Sequence, residues 1–277
     1  MNAKLAPGLY IVATPIGNLS DLTPRAASVL AHVDVLCVED SRVTGKLLNH
    51  IGVKRPMQPY HDHNADTIRP GLIARMAGES VALACDAGTP LISDPGYKLV
   101  RDARAAGHTI VTIPGACAAI AALTLAGLPT DRFLFMGFLP TKAKARDDII
   151  SEVSNVRATL VFYESGPRLA TTLAALHAGL GDRDAGVARE LTKAYEECVT
   201  GSLSTLTTRY SDATPKGEIV IVVAPPSPST AIIDSDAALI EALSRLSVGQ
   251  AASEVAKMTG EDRRTLYARA LSLKAGA

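Results

Sequence analysis

Residues 85–96, CDAGTPLISDPG, place two glycines, two prolines and two aspartates in twelve positions. Glycine costs backbone entropy inside a helix or strand, and proline brings no N–H, so this stretch is a stiff loop. It follows a short apolar run, SVALA, residues 80–84. Similar loops recur along the chain: TPIGNLSD (14–21), EDSR (39–42), PGACA (114–118) and YESGPR (163–168). One such loop means only a turn. Several on one edge of a sheet make a cleft lined by exposed main-chain donors, and ligands of open parallel sheets bind at that edge. The chemistry this serves is the grip of a compact ligand with an aromatic ring and polar ends.

Other chemistries find less support. There is no GxxxxGK[ST] phosphate loop, and TPIGNL lacks GxGxxG, which disfavours a dinucleotide cofactor and a dehydrogenase. His61 and His63 flank Asp62, but no third ligand adjoins them, so no metal is expected. Cys37, Cys85, Cys117 and Cys198 are widely spread without a CxxC pair. They read as buried reduced thiols rather than a zinc site or disulfide framework, which suits the cytosol.

These loops need elements to hold them. The 277 residues are 47% apolar, lack Trp and carry no net formal charge. A sizeable core follows, and affinity for nucleic acid by bulk charge does not, although a local basic face stays open. No signal peptide and no run of about 20 apolar residues is evident. Apolar runs at 8–13, 34–40, 80–85 and 108–114 alternate with helical segments, the pattern of a parallel sheet covered on both faces. Residues 129–148 break that rhythm and mark a domain junction. Runs at 158–164, 185–192, 195–202 and 216–226 then predict a second, mixed sheet. The Pro- and Ser-rich stretch 224–236 reads as a linker. Three short helices follow, with Ala256, Gly260 and Leu266 placed as in a helix-turn-helix unit. The expected organisation is α/β: an N-terminal domain over 1–128, a second α/β domain over 129–226, and a helical tail over 235–277.

Taken in order, LYIVATPIGNLSDLTPRA, EDSRVTGKLL, HDHN, DAGTPLISDPG, PGACAAIAAL, GLPTDRFLFMGFLP, FYESGPRL, ARELTKAYEE and KGEIVIVV resemble the ribosomal RNA small-subunit methyltransferase I family of the tetrapyrrole methylase superfamily. The likeness runs from about residue 8 to 224, and the tail is similar to that family's small helical tail. Cys85 stands where Ser is frequent, PGACA replaces PGPCA or PGPSA, and ESGPR replaces forms with His before Arg.

The resemblance implies an S-adenosylmethionine-dependent enzyme that methylates the ribose 2′-oxygen of a decoding-region cytidine, cytidine 1402, in 16S rRNA of the 30S subunit. It also implies two α/β domains with the cofactor in the cleft between them, and a homodimer. Gly88, Thr89 and Pro90 match the superfamily's glycine-acid-proline cofactor segment, Leu91 and Ile92 would lie along the adenosine, and Asp86 would fix the loop by accepting main-chain hydrogen bonds. Asp94 and Pro95 would be N-cap and first residue of the next helix. Pro15, Ala116, Cys117, Tyr163, Leu191 and Gly217 complete the expected cofactor contacts.

A ribose hydroxyl is a poor nucleophile, so a base, or a cation stabilising the developing alkoxide, would help. Candidates are Asp40, Arg42, Glu164, Arg168, Arg189, Glu190 and Lys193. Glu190 with Lys193 stands first, because on a helical turn they would share a side; Glu164 stands next. RNA contacts are expected from Arg42, Lys142, Lys144, Arg146, Arg168, Arg263 and Arg264. Two other functions fit the same loops: a methylase of a tetrapyrrole precursor, and a ribosome-associated protein that binds without turnover.

Overall fold

A computed structural model describes residues 4–212, 214–227 and 235–275. The apolar runs of the first half form β1 (Gly8–Val12), β2 (Val35–Val38), a short β3 (Gln58–Pro59), β4 (Ser80–Ala84) and β5 (Ile110–Ile113). They pair in the order β3-β2-β4-β1-β5, and every pairing is parallel. Between them lie α1 (Pro24–His32), α2 (Ser41–His50), α3 (Ala65–Arg75) and α4 (Tyr97–Ala105). Alternate residues of each strand feed opposite faces. Tyr10, Val12, Leu36 and Val38 pack with Val29, Leu30, Leu47 and Leu48 of α1 and α2. Leu9, Ile11, Val81 and Leu83 pack with Leu72 of α3 and Leu99 of α4. Both faces are thus sealed, and all the C-terminal strand ends open on one edge.

Local signals set the helix starts. Thr23 Oγ1 accepts from Ala26 N at 3.1 Å with Pro24 in the first turn of α1. Asp40 Oδ1 accepts from Arg42 N at 2.8 Å and caps α2. For α4 the N-cap is Gly96, at φ 130°, not Asp94 as expected.

Helix α5 (Ala118–Ala126) follows β5 but does not cover the first sheet. Its Ala119, Ala122, Leu123 and Ala126 pack on Val161, Ala188, Val220 and Val222 of the second sheet. That sheet comprises β6 (Phe133–Phe138), β7 (Thr159–Ser165), β8 (Asp184–Arg189), β9 (Glu197–Ser202) and β10 (Glu218–Val223). Its order is β6-β7-β10-β8-β9; β6–β7 is parallel and the other pairs are antiparallel. Helices α6 (Ala143–Val153), α7 (Gly166–Leu180) and α8 (Leu203–Tyr210) cover its other face through Ile150, Leu169, Leu173, Leu176 and Leu206.

The second sheet is mixed, as the sequence predicts. The stretch 129–148 is more than a junction, since it holds all of β6 and the first turns of α6. Residues 163–168 are not a loop: β7 runs to Ser165 and α7 begins at Gly166.

Both sheets lie in one compact unit ending at Pro225, and a second unit runs from Pro226. The second unit is α9 (Ser235–Leu243), α10 (Val248–Thr259) and α11 (Arg263–Ala275), packed around Leu239, Ala251, Ala252, Val255, Leu266 and Ala270. Gly260 ends α10 in the left-handed region, at φ 77°. Of the expected linker, residues 228–234 lie outside the described residues, and α9 already begins at Ser235. No helix among the described residues is long and apolar enough to cross a membrane.

Candidate active site between the two sheets

The loops after β1, β4 and β5 are tied to one another through their backbones. Thr14 N donates to Gly88 O at 2.8 Å and Gly88 N returns a bond to Thr14 O at 3.1 Å. Thr14 Oγ1 donates to Cys85 O at 3.2 Å, and Thr89 Oγ1 to Ala116 O at 2.9 Å. Asp86 Oδ1 accepts from Asp40 N at 3.0 Å, so this carboxylate joins the β4 loop to the β2 loop instead of closing its own. The stiffness visible in the sequence is the stiffness of a cross-linked edge.

The loop then turns through unusual backbone. Leu91 and Ser93 have φ of 75° and 63°. The Leu91 side chain points away from the expected cofactor surface and packs with the first-sheet core. Ile92 is left exposed beside Ser93 and Asp94.

Facing this loop is a wall from the second half. Together they enclose a cavity of about 140 Å³. Of the expected residues, Gly88, Thr89, Ile92, Tyr163, Glu164, Glu190, Leu191 and Lys193 line it. Pro15, Asp86, Leu91, Ala116, Cys117 and Gly217 do not line it, although most support those that do. Ala116 accepts from Thr89, and Cys117 begins α5. Gly217 leaves no room for a Cβ against Glu190 Oε1. Ile16, Ser93, Asp94, Phe138 and Glu218 also line the cavity, beyond the residues expected from sequence.

Glu190 and Lys193 meet in the cavity wall, with Lys193 Nζ 3.0 Å from Glu190 Oε1. They do so in a reverse turn, not a helix: Lys193 N donates to Glu190 O at 3.0 Å, and Glu190 and Thr192 have φ of 51° and 66°. A Cβ on Gly17 would lie 2.7 Å from Lys193 Cγ, so the first-half loop presses directly on this turn. Every non-glycine residue with positive φ among those described belongs to one of the two segments lining the cavity.

Glu164 is differently placed. Its side chain is fully buried and its oxygens are engaged. Oε1 accepts from Ser165 N at 2.7 Å and lies 3.3 Å from Arg168 Nε, while Oε2 accepts from Thr172 Oγ1 at 2.6 Å. It anchors the first turn of α7 and offers no oxygen to a reactant. Tyr163 OH, by contrast, accepts from Ala119 N at 3.3 Å and fixes the start of α5 at the cavity.

The cavity end is electrostatically costly. Burial pushes the Asp94 carboxyl above its ordinary range, and Asp86 and Glu218 add to the rise. Burial likewise raises Asp86 and Glu39. Burial also pushes up the Tyr163 phenol and the Cys85 thiol, and takes the Cys37 thiol to about 12. Cys37 and Cys85 are buried, whereas Cys117 and Cys198 are half-buried. Arg42 holds the Asp40 carboxyl down at about 2. No group of three or more His, Cys, Asp or Glu side chains converges among the described residues.

The expected RNA-contacting cations divide. Lys142 and Lys144 are exposed at the start of α6, and Arg263 and Arg264 are exposed at the start of α11. Arg146 is not a surface cation; its side chain is mostly buried. Arg168 is committed inward, donating to Leu139 O at 2.6 Å besides its contact with Glu164. Arg42 is exposed but paired with Asp40 at 2.5 Å. Arg189 is paired with Glu197.

This geometry has counterparts. The family model described as Tetrapyrrole (Corrin/Porphyrin) Methylases matches residues 8–207, and that described as RsmI C-terminal HTH domain matches residues 230–274. The chain is 55% identical over 272 residues to the Ribosomal RNA small subunit methyltransferase I of Erythrobacter litoralis (strain HTCC2594), covering 98% of this chain and 96% of that one. It is 49% identical to the protein of the same name from Mesorhizobium japonicum, covering 98% and 93%. Among solved structures, a diphthine synthase superposes with TM-score 0.64 at 17% identity, covering 78% of this chain and 89% of that one. A uroporphyrin-III-C-methyltransferase from Thermus thermophilus superposes with TM-score 0.55 at 21% identity, covering 78% and 94%. At those identities the structural likeness speaks for the fold alone.

Proposed function

The chain belongs to the tetrapyrrole methylase family, among relatives called ribosomal RNA small subunit methyltransferase I, and from this we propose that it methylates the ribose 2′-oxygen of a decoding-region cytidine, cytidine 1402, in 16S rRNA. The methyl donor in this reading is S-adenosylmethionine. The cavity suits it: Ile16, Ile92 and Leu191 supply apolar lining. The carboxylates of Asp94 and Glu218 complement a donor bearing a sulfonium and an ammonium. Gly88, Thr89, Ile92 and Leu191 would hold it, with Tyr163 keeping the adjoining α5 in place. The donor supplies an activated methyl group and leaves as a neutral thioether, so no metal is demanded.

The chain's own residues do the rest. The 2′-hydroxyl proton passes to the Glu190 carboxylate, and the Lys193 ammonium offsets the charge that develops on oxygen. The observation that carries this reading is the Glu190–Lys193 ion pair on the cavity wall, held opposite cross-linked main chain. Glu164 is left out of the chemistry, since its carboxylate is already bound. Lys142, Lys144, Arg263 and Arg264 are the cations open to RNA phosphates, and the active species is a homodimer within this reading.

The test is transfer of a labelled methyl group to 30S subunits lacking the modification, with the product mapped by mass spectrometry. 2′-O-methylcytidine at the decoding site is expected, and Glu190→Gln lowers kcat by about 100-fold or more with donor affinity kept. Transfer to a tetrapyrrole precursor and not to RNA would overturn the proposal. Donor binding without transfer to either would point to a ribosome-associated protein that does not turn over.

A further inference from the structure

Strand β6 contains a switch of face. Its register against β7 runs Phe135↔Val161 and then Gly137↔Phe162, which leaves Met136 as an extra residue. Before the bulge, Leu134 packs with the core under α7, while Phe135 packs with the group containing α5 and Tyr163. Strict alternation would return Phe138 to the Leu134 side. The extra residue reverses that, and Phe138 pairs with Tyr163 and comes to line the cavity. Bulges re-aim side chains in this way and are frequent next to active sites. Gly137 enables the turn with φ 63°, and a Cβ there would sit 3.1 Å from Ser93 Oγ on the opposite loop.

The re-aimed ring is not used for packing alone. Phe138 is 54% exposed at the cavity mouth. Its orientation is nevertheless set: Tyr163 meets it edge-on at 5.6 Å and 64°, and Phe135 backs Tyr163 at 4.8 Å and 70°. Tyr163 is itself tied to the start of α5. A flat apolar surface, rigidly backed and open to solvent beside the reacting groups, is what a nucleobase needs for stacking.

We infer that Phe138 is the platform of a nucleobase subsite at the cavity mouth, on which a base turned out of folded RNA stacks while its ribose reaches Glu190 and Lys193. This rests on the RNA-methylation reading and adds to it the residue that receives the base. Enzymes that act within folded nucleic acid extrude the target nucleotide and hold its base against aromatic or apolar side chains. The ring's face serves any base, so Phe138 sets position, and the identity of the base is read elsewhere.

The experiment compares wild type, Phe138→Ala, Phe138→Leu and Phe138→Tyr in steady-state methyl transfer to 30S subunits, with donor affinity by calorimetry and mass by sedimentation. Phe138→Ala is expected to lower kcat/KM for 30S subunits by roughly 10- to 100-fold, and donor Kd stays within about twofold. Phe138→Tyr recovers most of the loss and Phe138→Leu does not; that pair carries the comparison if the alanine variant fails to fold. Unchanged kcat/KM in Phe138→Leu overturns the inference alone. So does an equal loss of donor affinity, which would assign the ring to the donor, or a change in mass that accounts for the loss, which would assign it to a contact between chains. If wild type methylates no RNA, the function proposed above fails and the subsite falls with it.

Discussion

The two ends of the α/β body handle their polar groups in opposite ways. At the end where the parallel strands begin, Asp34 Oδ2 accepts from Ser80 N at 2.8 Å and Ser80 Oγ at 2.7 Å, and its own N–H donates to Ser80 Oγ at 2.9 Å. These bonds hold the Asp34 carboxyl below its ordinary range. Arg55 ties the adjoining turn down by donating to Leu30 O at 2.9 Å and to Val33 O. At the end where the strands finish, Asp94, Asp86 and Glu39 are all raised, and Leu91, Ser93, Glu190 and Thr192 occupy left-handed backbone. At the first end Asp34 and Ser80 satisfy each other, and the second end is held under strain. Proteins concentrate such violations where a ligand or reaction needs them.

The contrast breaks most sharply at Asp34. Replacing it with Ala strips two bonds from Ser80, which is buried. Leaving such groups unpaired costs about 1–3 kcal/mol each way it is measured. Asp34→Ala therefore lowers stability in urea unfolding by that order, while methyl-transfer kcat on the folded protein stays unchanged.

A change at the other end has the opposite sign. Thr192 is β-branched at φ 66°, and its hydroxyl is buried without a hydrogen-bond partner. Left-handed backbone costs a residue with a Cβ about 1–2 kcal/mol. Thr192→Gly is expected to raise stability by about 1 kcal/mol, net of glycine's added chain entropy, and to slow turnover by loosening the Glu190–Lys193 turn. A destabilised variant with normal turnover would erase the contrast.

The smallest effect is on pH dependence. An acid whose folded pKa is raised binds its proton more tightly in the folded state. It therefore withdraws stability as pH rises from the ordinary carboxylate range through the raised value. Asp94 is such a group. Asp94→Asn removes the titration, so the variant gains Tm relative to the parent near pH 7, and the gain disappears near pH 3. Asp34→Asn shifts the other way: the parent's advantage is present at neutral pH and lost on acidification.

How much of this the sequence discloses depends on how local the cause is. The first sheet is legible because its strands are continuous apolar runs sealed on both faces. The loops of the cavity are legible because their glycines, prolines and aspartates are consecutive. Strand β6 escapes, since FLFMGF contains a glycine and an irregular register that only β7 defines. Asp94 reads as a cap because Asp-Pro is a common helix start, yet the chain needs Gly96 at φ 130° to turn into α4. Glu164 reads as reactive until Thr172, two helical turns into α7, is seen to close over it. Arg146 and Arg168 read as surface cations because nothing near them in sequence reveals their burial. Phe138 carries no signal of its own, because its direction is decided by a bulge two residues earlier.

The cross-link between Thr14 and Cys85 spans 71 residues, and that from Thr89 to Ala116 a further 27. Strand β1 is made first but lies between β4 and β5, which are made much later. During synthesis β1 therefore has no sheet neighbour until β4 has emerged from the exit tunnel, and its second edge stays open until β5 follows. The growing chain acquires a ligand-binding edge only once residues beyond 116 are outside, and until β4 emerges the apolar β1 must be shielded from wrong partners.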